Sequence, residues 1–144
     1  MVLKNFLLTV AVGGLLTACA TGEKKGVQLQ DLRDSERFVT EQIIGELDFP
    51  GLQRNLFQHR ELCGSAPRFV MHPGQTSYAS LIETAEIPES YENVVVADLI
   101  QYPESIRSPM RVAVRVYSYY YNDAVQQRVD RMIGAVRNPG VCEP

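Results

Sequence analysis

Cysteine and histidine are the side chains in this chain with the most potential for chemistry. The cysteines are Cys19, Cys63 and Cys142, and the histidines are His59 and His72. His59 precedes Cys63 by four residues, so on a helix the imidazole and the thiol share one face. A nucleophilic cysteine needs such a base, and usually a third group that orients it. One hypothesis is therefore a thiol enzyme that uses Cys63 and His59.

Other catalytic and metal-binding patterns are missing from the sequence. Neither histidine has a second histidine three or four residues away, as a metal site requires, and the segment around Ser65 is not a nucleophile elbow. A run of glutamates at intervals of three lacks the Asp/Asn pattern of calcium loops, and we interpret it as a solvated acidic loop. These glutamates are Glu83, Glu86, Glu89 and Glu92. We therefore expect no enzymatic activity, no metal and no cofactor.

The composition indicates one globular domain. The chain has 144 residues, of which 45% are hydrophobic, and this length and apolar fraction suit a single folded unit. The net charge of −3 argues against nucleic acid as a partner, because a phosphate-binding surface normally carries an excess of basic residues.

The first nineteen residues have the organisation of a bacterial export signal. Lys4 precedes an apolar run over residues 6–16, which as a helix covers about 16 Å, roughly half of a bilayer core. This run is too short to span a membrane and suits the apolar region of a signal peptide. It ends in Leu16-Thr17-Ala18-Cys19, which resembles the lipobox of bacterial lipoproteins.

The resemblance to bacterial lipoproteins implies a processed and lipidated amino terminus. Residues 1–18 would be removed as a signal peptide, and Cys19 would carry a diacylglycerol and an amide-linked acyl chain such as palmitate. Several acyl chains make membrane anchoring effectively permanent. Ala20, in place of an aspartate, indicates the outer membrane by similarity to the sorting pattern of enteric bacteria. The alternative is an ordinary signal peptide with a cysteine there by chance.

The lipobox assignment divides the chain and pairs the other two cysteines. Residues 19–30 are polar after the cysteine, and we expect them to form a flexible tether. We expect residues 31–144 to form a single globular periplasmic domain. With Cys19 lipidated, Cys63 and Cys142 remain as an even pair in an oxidising compartment, which favours a structural disulfide. The alternative is the reactive Cys63 considered above.

Hydrophobic periodicity predicts a mixed α+β domain. Helical spacing predicts a helix over residues 34–47, a second over residues 52–62 and a third that begins at Asn122 or Asp123 and ends before Pro139. Four segments have the composition of strands, and they are residues 68–72, 77–84, 93–101 and 111–121. We expect a small antiparallel sheet of three to four strands with helices packed on one face.

The last predicted strand has two chemically different faces. Val112, Val114 and Val116 form one row, which with Val95, Ala97 and Leu99 should face the helices. The other row is rich in arginine and tyrosine, the residues enriched at binding hot spots. It provides a candidate contact surface made of Arg111, Arg115, Tyr117, Tyr119 and Tyr121.

Structural interpretations of the same row remain open. Asp98 on the neighbouring strand is expected close enough to pair with Arg111 or Arg115, and cross-strand tyrosines stabilise a sheet without any partner. A helix such as that predicted over residues 34–47 would, if it covered this face, create a second core.

The sequence thus favours a membrane-anchored, non-enzymatic envelope lipoprotein that acts by protein contact. We expect it to be an accessory or scaffolding subunit of an outer-membrane complex, facing the periplasm. The alternatives are a periplasmic module that binds a small ligand or inhibits a lytic enzyme, and the thiol enzyme that uses Cys63 and His59.

Overall fold

The fold is a five-stranded antiparallel sheet with helices. The computed structural model describes residues 26–142. The elements are α1 (Leu29–Ser35), β1 (Phe38–Gly45), α2 (Phe49–Cys63), β2 (Arg68–Met71), β3 (Tyr78–Ile82), β4 (Val96–Tyr102), β5 (Arg111–Ser118) and α3 (Asp123–Arg137). The strands lie in the order β1-β5-β4-β3-β2, and each adjacent pair is antiparallel. The predicted α+β class is confirmed, and the sheet has five strands rather than three to four.

Helices α2 and α3 cover one face of the sheet, which we call the inner face. The predicted valine row of β5 lies in this core with Val95, Ala97 and Leu99, as expected. Leu52 and Leu56 of α2 and Val129 and Met132 of α3 pack against them. Full burial of one such side chain stabilises the fold by about 1.5–3 kcal/mol, so this layer supplies most of the driving force for folding.

Local signals fix where the two long helices begin. The Asp48 side chain accepts a hydrogen bond from the backbone N–H of Gly51, and Pro50 lies in the first turn of α2, where proline is well tolerated. In α3 the Asn122 side chain accepts from the N–H of Val125, which confirms the predicted start. Helix α2 therefore begins three residues before the start predicted at residue 52, and Pro50 and Gly51 belong to its first turn.

The helix predicted over residues 34–47 is wrong, because most of that segment forms β1. Residues four apart, such as Val39 and Ile43, share a face in a helix and also in a strand, so the apolar spacing fitted both. β-branched and aromatic residues predominate between Phe38 and Ile44, and all eight residues of β1 pair with β5. Strand pairing across the sheet decides between the two structures.

The short helix α1 packs on the opposite face, which we call the outer face. Leu32 of α1 is 1% exposed and lies in a second apolar cluster with Ile82, Val96 and Tyr117. Before it, the Val27 N–H donates to the Ser90 hydroxyl at 3.1 Å. Residues 26–30, the end of the predicted tether, are thus part of the fold. The predicted signal peptide, Cys19 and residues 19–25 of the tether lie outside the described residues.

A disulfide joins the end of α2 to the tail that follows α3. Cys63 and Cys142 are bonded, with 5.3 Å between their Cα atoms and a sequence separation of 79. This confirms the expected pairing. The chain-entropy treatment assigns such a loop about 4.5 kcal/mol of stabilisation as an upper bound.

Candidate functional site

The outer face is covered by α1 at one end only. The covered end includes Tyr117 and Val96, which α1 buries through Leu32. At the other end the face is open and forms a groove of about 600 Å³. We call this uncovered part the open face, and it consists of Ile43, Tyr78, Ile100, Tyr102, Ala113 and Arg115.

Strand register explains why these six side chains lie together. Ile43 pairs with Ala113, Ala113 with Ile100, and Ile100 with Tyr78, so one row crosses four strands. Tyr102 and Arg115 flank this row on either side. Ile43, Tyr78 and Tyr102 are 54%, 44% and 40% exposed. Three large apolar side chains therefore face solvent on one surface, which is a feature typical of interaction sites.

A polar cluster lies where the open face meets the covered end, and its His72 and Asp98 side chains line the groove. Arg33 of α1 donates from Nε and from a terminal nitrogen to the two carboxylate oxygens of Asp98, at 2.8 and 2.5 Å. The same terminal nitrogen donates to the Ser80 hydroxyl at 3.0 Å. Such a forked ion pair fixes orientation as well as adding free energy. Arg33 thus fastens α1 to the middle of the sheet.

Ser80, His72 and Asp98 meet in this cluster without the geometry of a hydrolytic triad. The Ser80 hydroxyl donates to Asp98 at 3.0 Å, and His72 Nε2 lies 2.8 Å from the same hydroxyl. The Asp98 carboxylate thus contacts the serine of this group instead of orienting the imidazole of His72. In a triad the histidine accepts from the serine and is oriented by the acid. The arrangement holds strands and α1 together.

Arg115 lies at the junction of the open face and the edge of the sheet. It is directly opposite Asp98 on β4, yet its ion-pair partners are Glu36 at 3.2 Å and Glu41 at 3.7 Å. Its side chain is 46% exposed. Exposed ion pairs of this kind contribute little stability, so Arg115 can exchange partners at low cost.

The structure divides the predicted contact surface into three parts. Arg115 belongs to the open face, and Arg111 lies beside it, with its guanidinium 4.9 Å from the centre of the Tyr102 ring. Tyr117 is 7% exposed under α1. Burial, followed by the nearby Asp98 carboxylate, raises the pKa of Tyr117. At Tyr117 the outer face is thus a second core under α1, which is one of the structural interpretations that the sequence left open.

Tyr119 and Tyr121 belong to an aromatic group beyond the end of β5, away from the open face. Tyr121 stacks on Phe38 with 5.1 Å between ring centres, and the Arg37 guanidinium lies 4.1 Å from the centre of the Tyr119 ring. The Tyr120 hydroxyl donates to Glu92, and this hydrogen bond raises the pKa of Tyr120. The predicted row thus extends from Arg111 at one end of β5 to Tyr121 beyond the other end, instead of forming one patch.

A smaller cavity of about 360 Å³ lies beside the disulfide. His59 Nδ1 is 3.6 Å from the Cys63 sulfur and 3.1 Å from the carbonyl oxygen of Pro139. Both sulfurs are consumed in the disulfide, so a thiolate at Cys63 would first require reduction. Across the cavity Arg128 donates to Glu83, and this hydrogen bond raises the pKa of Arg128. These contacts join α2, α3 and the end of β3.

Sequence reasoning missed Ile43, Tyr78 and Tyr102 as site residues. Ile43 lies within the helix predicted over residues 34–47, and the pattern around Tyr78 does not distinguish the two faces of its strand. Ile100 lies on the outer face because it alternates on β4 with Leu99, which lies in the inner core. A strand assignment for residues 38–45 would have added Ile43 to the same row.

The described residues contain neither a metal-ligand cluster nor a membrane-spanning helix, and no related protein is found. Within residues 26–142, no three histidine, cysteine or acidic side chains form a group able to hold a metal ion. In that same range no helix is long and apolar enough to cross a membrane. Comparisons with protein-family models, curated proteins and solved structures find nothing that matches this chain.

Proposed function

We propose that this protein is a lipid-anchored envelope protein that acts by contact, as a non-enzymatic accessory or scaffolding subunit of an outer-membrane complex. The observation that carries the proposal is the open face, where Ile43, Tyr78 and Tyr102 are exposed around one groove. Similarity of Leu16-Thr17-Ala18-Cys19 to a lipobox supports the anchoring and the periplasmic location.

The chemistry of the open face favours a protein as its partner. Tyrosine, arginine and isoleucine combine apolar area with a few polar groups, as in the centre of protein interfaces. Arg115 is accompanied by Glu41, so the charges nearly balance and suit neither a polyanion nor a polycation. A protein surface with its own aliphatic and aromatic side chains fits this mixture.

Affinity purification from detergent-solubilised envelopes tests the contact function. The open-face variant carries Tyr78→Ser and Tyr102→Ser, and the control carries Tyr121→Ser, which removes a tyrosine at the far end that is 76% exposed. We expect a protein that co-purifies in fixed ratio with wild type and with the control, and is lost with the open-face variant. Equal recovery from all three would contradict the proposal.

The volume of the groove favours a second candidate, a module that binds a small ligand or inhibits a lytic enzyme. Small-molecule sites commonly enclose about 300–1,000 Å³, and this groove lies in that range at about 600 Å³. An inhibitor would remain monomeric in detergent and would suppress lysis in a muramidase assay. Loss of that suppression in the open-face variant would assign the groove to the enzyme.

Lipidation at Cys19 has its own test. We expect wild type to incorporate radiolabelled palmitate and to fractionate with membranes, and Cys19→Ser to do neither. Because the disulfide partners are Cys63 and Cys142, this substitution leaves their pairing unchanged. Retention of the label in Cys19→Ser would contradict the lipobox assignment.

A further inference from the structure

The two edges of the sheet are unequal. The β2 edge has four residues and lies between Pro67 and Pro73, and proline restricts the pairing of further strands. The β1 edge has eight residues, with neither proline nor lysine. Proteins often protect an edge of this length with proline or lysine, so an edge that carries neither in its eight residues calls for a function.

Alternate residues of β1 direct their backbone groups away from the sheet. The Glu46 N–H donates to the Met110 carbonyl, so even-numbered residues of β1 hydrogen-bond with β5. The backbone N–H and C=O groups of the odd-numbered residues therefore point away from the sheet. The Arg137 side chain donates at 3.0 Å to the Ile43 carbonyl, which agrees with that direction. The outward-facing residues are Val39, Glu41, Ile43 and Gly45.

The charges along this edge argue against pairing with a second copy. Glu36, Glu41 and Glu46 are exposed and evenly spaced about the centre of β1. Antiparallel self-pairing centred on Glu41 would place Glu41 opposite Glu41 and would bring Glu36 and Glu46, which flank β1, to the two ends of the paired strands. If the pairing register is shifted by two residues, the two copies of Glu41 are still diagonal neighbours across the paired strands. Like charges opposite each other destabilise a sheet, so a basic strand is favoured.

We propose that the edge of β1 binds an extended segment of a partner protein, which adds a sixth strand to the sheet. The segment carries a lysine or arginine opposite Glu41 and an aliphatic residue beside Ile43. Strand addition draws affinity from backbone hydrogen bonds and specificity from alternate side chains. This inference rests on the proposed contact function and specifies the kind of partner segment.

The chain itself supplies a suitable probe, since β5 is the strand that β1 already accepts. In that pairing Arg115 is opposite Glu41 and Ala113 is opposite Ile43. The probe is a capped peptide with the sequence of residues 111–118, and the control peptide has glutamate at the position of Arg115. We expect full-length protein in detergent to bind the probe, and to bind the control peptide about tenfold more weakly.

Two substitutions at one position separate backbone pairing from side-chain contact. Ile43→Pro removes an outward N–H and leaves the bonds to β5 intact, whereas Ile43→Ala keeps that N–H. We expect probe affinity to fall about tenfold in Ile43→Pro and less than about threefold in Ile43→Ala. Circular dichroism confirms that both variants are folded. Hydrogen exchange should show that the probe protects the amides of Val39, Glu41 and Gly45.

Several results would overturn the proposal. The proposal is rejected if wild type does not bind the probe, if both Ile43 variants lose the same amount of probe affinity, or if the probe does not protect the outward amides from hydrogen exchange. A wild-type dimer in light scattering that Ile43→Pro abolishes would assign the edge to a second copy. A partner lost with the Tyr78 and Tyr102 substitutions but kept with Ile43→Pro would preserve the contact function and reject strand addition.

Discussion

Asp98 is the residue on which the attachment of α1 depends. Its carboxylate accepts from Arg33 and Ser80, and its side chain is 23% exposed. We expect Asp98→Ala to lower the free energy of unfolding by about 2 kcal/mol, because hydrogen bonds to charged groups contribute most when they are shielded from water. Urea unfolding measures the change.

The matched control for Asp98→Ala is Glu36→Ala. Glu36 also pairs with an arginine, but its side chain is 67% exposed, so we expect a change within about 0.5 kcal/mol. Equal effects of the two substitutions would mean that the Arg33–Asp98 pair gains nothing from its position under α1.

Tyr117 gives the protein a predictable response to alkaline pH. Burial raises the pKa of Tyr117 above its ordinary value near 10. Above pH 10 the unfolded chain releases this proton while the folded chain retains it, so stability falls as pH rises and is unaffected by Tyr117 at lower pH. We expect the urea midpoint to fall less between pH 9 and pH 11 in Tyr117→Phe than in wild type. Parallel curves would show that Tyr117 ionises normally in the fold.

The faces of β5 could be predicted from sequence, but the exposure of its side chains could not. Alternation alone placed Val114 in the core and Arg115 on the outer face. The burial of Tyr117 depends on Leu32, which is far away in the chain, and nothing in the local pattern of β5 indicates that contact. Local periodicity determines direction, and tertiary contacts determine accessibility.

At the level of elements, α1 decides how much of the outer face remains open. Among the residues of α1, only Leu32 has a fully buried side chain, and this side chain covers Tyr117 and Val96. We expect Leu32→Ala to cost about 3 kcal/mol of unfolding free energy, since it leaves a cavity between α1 and the sheet. Asp34→Ala, on the exposed side of α1, should change stability by less than about 0.5 kcal/mol. A small effect of Leu32→Ala would mean that α1 is loosely held.

The elements that sequence predicted correctly are those whose pattern admits one reading. α3 has an Asn122 cap and a continuous apolar stripe, and both agree on a helix. β1 has apolar residues at intervals that suit a helix and a strand equally, so only its pairing with β5 reveals the strand. The open face was incompletely predicted because the row that crosses its four strands begins at Ile43, on the strand that was predicted as a helix.

At the scale of the whole molecule, the sheet has a near end, where residues 26 and 27 lie, and a distal end. The chain enters beside Ser90, in the loop before β4. The turn that follows β4 lies at the opposite end, where Ser105 and Ser108 pair and Ile106 is fully exposed. β4 alone has seven residues, which separate the two ends by about 23 Å. The open face lies toward the distal end, beside Tyr102.

A lipid on Cys19 would turn this polarity into an orientation on the membrane. Cys19 precedes Gly26 by seven positions, a distance of at most about 24 Å when extended. In liposomes that contain nitroxide-labelled lipids, we expect a fluorophore at Glu89→Cys, near the entry point, to be quenched and one at Ile106→Cys to stay bright. Equal quenching would mean that the sheet lies flat on the bilayer. Selective quenching would place the open face toward the periplasm, where a partner protein can reach it.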